Sequence, residues 1–379
     1  MKRIGIVTLS NSINYGGVLQ SVALSKKLRA LGMEGVNITC QIMTPSWKSP
    51  IKYVQNRKNS NYTKGIKNKL RTCGGFVKTL LSNIHYFALK KKETNFKGFI
   101  RQNMICTPYY RSEELQKFCG DYDGYITGSD QVWNNQFTNG TFKEAYFLAF
   151  APADRPCFSY AASAGGEKSD EYIKEIIDRT KTFCGISVRE KSLEEHMRKL
   201  GCKNVQTVLD PTLMLSKEEW KKMEKKPSYK LPKNYILVYF LDRKSSYEDV
   251  ARKVSKELGL PIVDIMPGKK GNLSTAVCDK TAGPAEFLYY VNHAEYIVTN
   301  SFHMTVFSLL YQKKFLALQR TGQESRISDL LRMVNMDSHE INDPEQWITI
   351  LESIPDIHPR ISSMYLKSLN FLEQIREQV

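Results

Sequence analysis

The chain has 379 residues, a formal net charge of +16 and 41% hydrophobic residues. That length exceeds one ordinary core and predicts two domains. Met1-Lys-Arg leads straight into the apolar run Ile4–Leu9, which reads as a buried strand and not as a signal peptide, and no apolar run reaches the roughly 18 residues of a membrane span.

Arg3–Leu9 is expected as the first strand, Asn11–Gly17 as a turn, and Val18–Leu31 as a helix stopped by Gly32. Paired glycines at Asn14-Tyr15-Gly16-Gly17 allow a close backbone approach, and free N–H groups at a helix start favour anions or hydroxyl-rich ligands. The spacing is not GxGxxG, and a tight turn explains it equally well. Val36–Thr39 can form a second strand.

A basic insertion follows, over about 48–115. Thirteen lysines and arginines lie between Lys48 and Lys97, with Glu93 the only acid, around the apolar stretch Phe76–Leu89. Three readings stay open: binding at an anionic membrane surface, a solvated helical insertion with snorkelling lysines, and nucleic acid. No nucleic-acid-binding motif supports the third, and none is expected as partner.

Strand-and-turn units resume at Asp123–Thr127, which runs into Gly128-Ser129-Asp130-Gln131-Val132-Trp133. Asp130 suits orienting or deprotonating a sugar hydroxyl, and Gln131 can donate and accept; the bland alternative is an Asp cap with Trp133 as core. Strands Pro156–Ala162, Phe183–Val188 and Val205–Leu209 end at Ser163, Arg189 and Asp210. Ser192–Glu195 reads as a capping box for a helix stopped at Gly201. Arg189 suits bidentate capture of a carboxylate or phosphate, or else pairs with Glu190 or Asp210.

Lysine-rich 217–233 reads as the crossing into a second set: strand 235–241, helix 246–258, strand 260–265, helix 284–292, strand 295–298, helix 302–311, strand 314–318 and helix 326–333. An amphipathic tail occupies about 361–379. His303 falls in the first turn of the helix after Thr299-Asn300-Ser301. It is either a proton carrier beside an anion or a core histidine sharing a stripe with Val306, Phe307 and Leu310. Arg320 and Arg326 follow the next strand and either neutralise an anion or are solvated. The eight scattered cysteines form no metal-binding spacing, so no metal is expected and reduced thiols in the cytoplasm are.

The ordered set Ile6–Gln20, Gly128–Asn134, Tyr160–Ser163, Ile186–Glu190, Val208–Leu215 and Thr299–His303 resembles the polysaccharide pyruvyl transferase family. The resemblance implies an α/β fold with two Rossmann-like domains in a glycosyltransferase-B-like (GT-B-like) arrangement and a cleft between them. The expected division is 1–215 on the acceptor side, 216–355 on the donor side, and 356–379 as a C-terminal helix. It implies transfer of pyruvate from phosphoenolpyruvate onto two hydroxyls of a bacterial surface glycan or lipid-linked precursor, giving a cyclic ketal and phosphate, with no cofactor. A lipid-linked acceptor would place the protein peripherally on the inner membrane face, with 48–100 in contact. The resemblance maps His303 and Arg189, and less closely Arg320, to the donor site; with Asp130 read as a base for a sugar hydroxyl, the expected catalytic residues are His303, Arg189 and Asp130. Donor contacts fall to Ser301, Arg189, Arg320 and Arg326; acceptor contacts fall to Asn14, Tyr15, Gly16, Gly17, Ser129, Asp130, Gln131 and Ser163. Met304 stands where many members carry glycine or alanine, which bears on pocket shape. A sugar-nucleotide-dependent glycosyltransferase and a non-catalytic membrane-surface protein are the competing readings.

Overall fold

A computed structural model describes residues 1–10, 12–40, 73–115, 122–138, 143–266, 273–320, 324–344, 350 and 352–379. Within the helix Cys73–Asn103, side-chain environments are described from Tyr86 onward. The stretch 41–72, which holds much of the basic insertion, lies outside the described residues.

Two parallel sheets organise the chain. The first comprises β1 (Lys2–Val7), β2 (Met33–Asn37), β3 (Ile105–Cys106), β4 (Gly124–Thr127), β5 (Cys157–Ala162), β6 (Gly185–Val188) and β7 (Val205–Thr207), in the spatial order 3-2-1-4-5-6-7. The second comprises β8 (Ile236–Tyr239), β9 (Ile262–Asp264), β10 (Val277–Cys278), β11 (Tyr296–Thr299), β12 (Lys314–Leu318) and β13 (Glu340–Ile341), in the order 10-9-8-11-12-13. Each order reverses once, between β1 and β4 and between β8 and β11. Ligands of open α/β sheets bind beyond the strand carboxyl ends at such reversals.

Among the described residues the helices of eight residues or more are α1 (Tyr15–Ala30), α2 (Cys73–Asn103), α3 (Asp170–Thr180), α4 (Lys191–Lys199), α5 (Ser245–Leu258), α6 (Pro284–His293), α7 (Phe302–Leu310), α8 (Glu324–Met333) and α9 (His358–Gln378). Helix α1 starts three residues before the expected Val18, because Asn14 caps it: its side chain accepts from the Gly17 N–H at 3.3 Å. The expected capping box at Ser192 is not formed. Helix α4 begins at Lys191, and the Ser192 hydroxyl instead donates to Asp329 at 2.8 Å, tying the first unit to α8 of the second.

The basic segment is more than an appended insertion. Its end supplies edge strand β3, and Phe96 and Phe99 of α2 are buried in a cluster that joins both units. Lys92 is buried with its ammonium 4.6 Å from the Tyr15 ring centroid, not snorkelling into water; burial lowers it to about 8. Lys90, Lys91, Lys97, Arg101 and Phe87 stay exposed. Tail helix α9 packs back on the first sheet, where Phe371, Leu372 and Ile375 meet Ile4, Ile6, Leu24 and Phe158. Burying each such side chain contributes about 1.5–3 kcal/mol, which fixes the tail in place.

Among the described residues no helix is long and apolar enough to cross a membrane.

Candidate active site

The site gathers residues from the carboxyl ends of both sheets. From the second unit comes His303, placed one residue into α7. Ser301 caps that helix by accepting from the Met304 N–H, and Asn300 ties the turn to the end of β8 through Leu241 N and Asp242 O. The helix start is thus held on both sides, which fixes where the imidazole points. His303 is 8% exposed.

From the first unit come Arg189, after β6, and Asp210, after β7. Arg189 is buried; its Nε donates to Glu190 Oε1 at 2.9 Å and its Nη1 to Asp210 Oδ2 at 3.2 Å. Its Cζ stands 4.1 Å from the centroid of the Phe302 ring, so the guanidinium is stacked as well as bonded. Nη2 is buried and makes no hydrogen bond. Both pairings weighed for Arg189 therefore exist, and the fork still keeps an open prong.

Asp210 is the hub of the cluster. Its Oδ1 accepts from Thr212 N at 3.0 Å and Thr212 Oγ1 at 2.5 Å, while Oδ2 accepts from Ser129 Oγ at 2.8 Å and Arg189. His303 Nε2 lies 3.5 Å from the same Oδ2, an electrostatic approach without hydrogen-bond geometry. Burial opposes charge on Asp210, but facing His303 and then Arg189 outweigh it and hold the carboxyl well below the usual range.

Asp130 adopts φ 77°, a left-handed conformation that Asp tolerates better than most residues. Its carboxylate caps Gln131 N at 2.9 Å and stands 3.9 Å from Arg189 Nη1. Arg326 of α8 is buried beside this group. Burial and then the Arg189 charge push it down, to about 10, so it is still a cation at neutral pH. Arg320, just past β12, acts electrostatically on Arg326 and Tyr239. Lys168 carries a further charge toward Arg326, and burial and that charge lower it.

The expected residues divide. His303, Arg189, Asp130 and Arg326 come together, with Arg320 at the margin. Ser129 and Ser163 are fully buried and serve the cluster from behind, through Asp210 and through Glu190. Ser301 and Asn14 are helix caps, and Gln131 Oε1 is engaged by Asn134 at 2.7 Å. Tyr15 is no acceptor contact: it is 1% exposed, stacks on Phe287 and donates to Ala282 O at 2.8 Å, joining the two units. Met304 is fully buried in the core cluster that the two units share. Gly16 lies under the His303 ring: a Cβ there would stand 2.0 Å from Nδ1.

Sequence reasoning gave Asp210 only as an alternative partner of Arg189 and no place in the site, although it has the signal that marks Asp130 and Arg189, a polar residue directly after an apolar strand. Among the described residues no group of His, Cys, Asp and Glu could hold a metal ion.

The arrangement sets Arg189, Arg326 and, at the margin, Arg320 among the carboxylates of Asp130, Glu190 and Asp210, beside a histidine whose Nε2 makes no hydrogen bond. Such a cluster can hold a small multivalent anion and move a proton to or from it.

The model of the family described as polysaccharide pyruvyl transferase matches residues 14–321, a span holding every residue of this cluster except Arg326. Similar solved structures include the S. aureus MnaA–UDP co-structure, at 11% identity over 100% of this chain and 98% of that one with TM-score 0.53. Another is the UDP-GlcNAc 2-epimerase of Methanocaldococcus jannaschii, at 12% identity over 96% and 93% with TM-score 0.51. That likeness is one of fold: two Rossmann-like α/β units in a GT-B-like arrangement. No curated protein sequence matches the chain.

Proposed function

The chain belongs to the polysaccharide pyruvyl transferase family, and we propose that it transfers pyruvate from phosphoenolpyruvate to two hydroxyls of a sugar in a bacterial surface polysaccharide or its lipid-linked precursor. The products are a cyclic ketal and inorganic phosphate. The observation that carries this reading is His303 beside Asp210 and Arg189, with Arg326 and Arg320 adding positive charge.

In the proposed reaction the arginines hold the donor's carboxylate and phosphate, and protonated His303 gives its proton to the methylene carbon. The adjacent carbon gains oxocarbenium character, and one sugar hydroxyl attacks it, losing its proton to a base for which Asp130 is the candidate. The second hydroxyl then forms the other C–O bond as the C–O bond to phosphate breaks, and its proton leaves with phosphate. General acid catalysis contributes about 10²–10⁴-fold, and positioning supplies much of the rest. No cofactor enters the proposal, since arginine forks match the donor's two anionic groups.

The acceptor's attachment to lipid would bring the protein to the membrane surface. Support comes from exposed Phe87 with Lys90, Lys91 and Lys97 along α2.

A thermal-shift series tests the donor. Phosphoenolpyruvate at saturating concentration raises Tm in proportion to its binding. Protection by a sugar nucleotide and none by phosphoenolpyruvate would favour a glycosyltransferase instead.

A further inference from the structure

We infer that His303 works through Nδ1, and that Asp210, standing behind Nε2, is the positioning residue that holds the ring in that role. The inference rests on the function proposed above and adds which nitrogen exchanges the proton and what selects it.

The two nitrogens of the imidazole have different surroundings. Nε2 is buried, makes no hydrogen bond and stands 3.5 Å from Asp210 Oδ2. A ligand cannot reach it without displacing the ring. Nδ1 also makes no hydrogen bond among the described residues, but it is not sealed. The side chain is 10% exposed, and with Nε2 enclosed that exposure falls on the rest of the ring. Gly16 lies over the face of the ring, where a Cβ would stand 2.0 Å from Nδ1 and 2.5 Å from Cγ. A residue without a side chain permits that approach, which limits how far the ring can tilt and leaves the Nδ1 edge open.

Charge then separates the two tautomers. A neutral imidazole carries one proton, on either nitrogen, and the other nitrogen presents a lone pair. With the proton on Nε2, an N–H faces the Asp210 carboxylate. With the proton on Nδ1, a lone pair would face it instead, which is repulsive. Burial opposes charge on Asp210, but His303 and Arg189 outweigh it and keep the carboxylate ionised. Hydrogen bonds from Thr212, Ser129 and Arg189 fix where that charge stands. A carboxylate behind one ring nitrogen thus sets which tautomer the other nitrogen works from.

The proposed proton transfer follows the same division. The imidazolium carries a proton on each nitrogen. The Nδ1–H bond breaks, the proton joins the donor's methylene carbon, and the electron pair of the C=C bond forms the new C–H bond. The ring is left as the Nε2–H tautomer, the form that Asp210 favours. Nδ1 regains a proton from solvent on its open side. Transfer from Nε2 would have to cross a sealed edge and would leave a lone pair against Oδ2.

The test reads the tautomer directly. Long-range ¹H–¹⁵N spectra are recorded on histidine-labelled full-length protein, with His303 told from the other five of the six histidines by its loss in His303→Gln. The neutral form of His303 is expected as the Nε2–H tautomer, and inorganic phosphate is expected to move Nδ1 more than Nε2. Asp210→Asn is expected to raise the Nδ1–H population, which a merely structural part for Asp210 would not do. The same variant should lose at least about 10²-fold in kcat, the lower end of what general acid catalysis contributes, and should raise the KM for phosphoenolpyruvate through Arg189. An Nδ1–H tautomer in wild-type protein, a phosphate response confined to Nε2, or an unchanged tautomer in folded Asp210→Asn would overturn the inference. Where Asp210→Asn does not fold, the wild-type tautomer and its phosphate response decide. Wild-type protein that makes no product from phosphoenolpyruvate would count against the proposed function, and the spectra would still show which nitrogen is free to act.

Discussion

Arg189 and Arg326 are both buried, and each cation opposes the charge of the other. The pair is tolerable because Glu190, Asp210 and Asp130 offset Arg189. An anion bound between the cations would relieve the remaining repulsion. Inorganic phosphate is therefore expected to raise Tm at low ionic strength, with less effect as salt screens the site. Arg326→Gln should weaken phosphoenolpyruvate binding about 10-fold, as removal of one charge-assisted contact of roughly 1.4 kcal/mol does. Thermal unfolding measures the first and isothermal titration the second, and equal affinity in the variant would remove Arg326 from the donor site.

Arg189 and lysine are not exchangeable here. One guanidinium reaches Glu190 through Nε and Asp210 through Nη1 while stacking on Phe302. Arg189→Lys is expected to fold but lose most donor affinity. Arg189→Met removes the cation that Glu190, Asp210 and Asp130 share and should cost about 3–5 kcal/mol of stability by urea unfolding. A Lys variant with wild-type KM for phosphoenolpyruvate would contradict the fork.

Acid should weaken the first unit in a defined window. Glu194 takes hydrogen bonds from Thr207 N, Thr207 Oγ1, Arg198 and Lys191. Burial opposes its charge, yet these bonds hold its carboxyl down at about 2. A carboxyl lowered by folding adds stability above its unfolded value, near 4.3, and that contribution is lost as pH falls toward the folded value. Urea midpoints should therefore fall between about pH 5 and 2, and Glu194→Gln should flatten that slope while lowering stability at pH 7. An unchanged slope in the variant would place the acid sensitivity elsewhere.

The exposed face of α2 predicts binding to vesicles rich in anionic lipid. Lys90→Glu/Lys91→Glu/Lys97→Glu should reduce co-sedimentation with phosphatidylglycerol vesicles at least several-fold, since each basic residue near such a surface contributes about 1 kcal/mol. Equal pelleting of the triple variant would remove this face from membrane contact.

Much of this framework is legible in the sequence, and the reasons for the gaps are physical. Tyr296–Thr299 and Phe302–Leu310 follow from an apolar run, a polar turn and a capping serine, all local signals. Strands of two residues such as Ile105–Cys106, Val277–Cys278 and Glu340–Ile341 carry no periodicity and exist only because a neighbour pairs with them. Tyr15 looked like a turn residue with a ligand role. Its burial comes from Phe96, Phe287 and Tyr239, far away in the chain. Arg189 and Asp130 were identifiable as polar residues just past strand ends, and His303 as a histidine in the first turn of the helix after one. Asp210 had the same position, but its role depends on His303 arriving from the other unit, which no local pattern encodes. Gly16 was read as room for a ligand, whereas the space is filled by His303 itself.

The most direct test is incubation of wild-type protein and His303→Gln with phosphoenolpyruvate and a panel of free and lipid-linked galactosides. Phosphate release and the acceptor's mass are followed together. Wild-type protein should release phosphate in step with the gain of one carboxyethylidene group. His303→Gln, folded by circular dichroism, should lose about 10²–10⁴-fold in rate. Full activity in His303→Gln, or no ketal product from well-folded wild-type protein with any acceptor, would contradict a pyruvyl transfer built on His303.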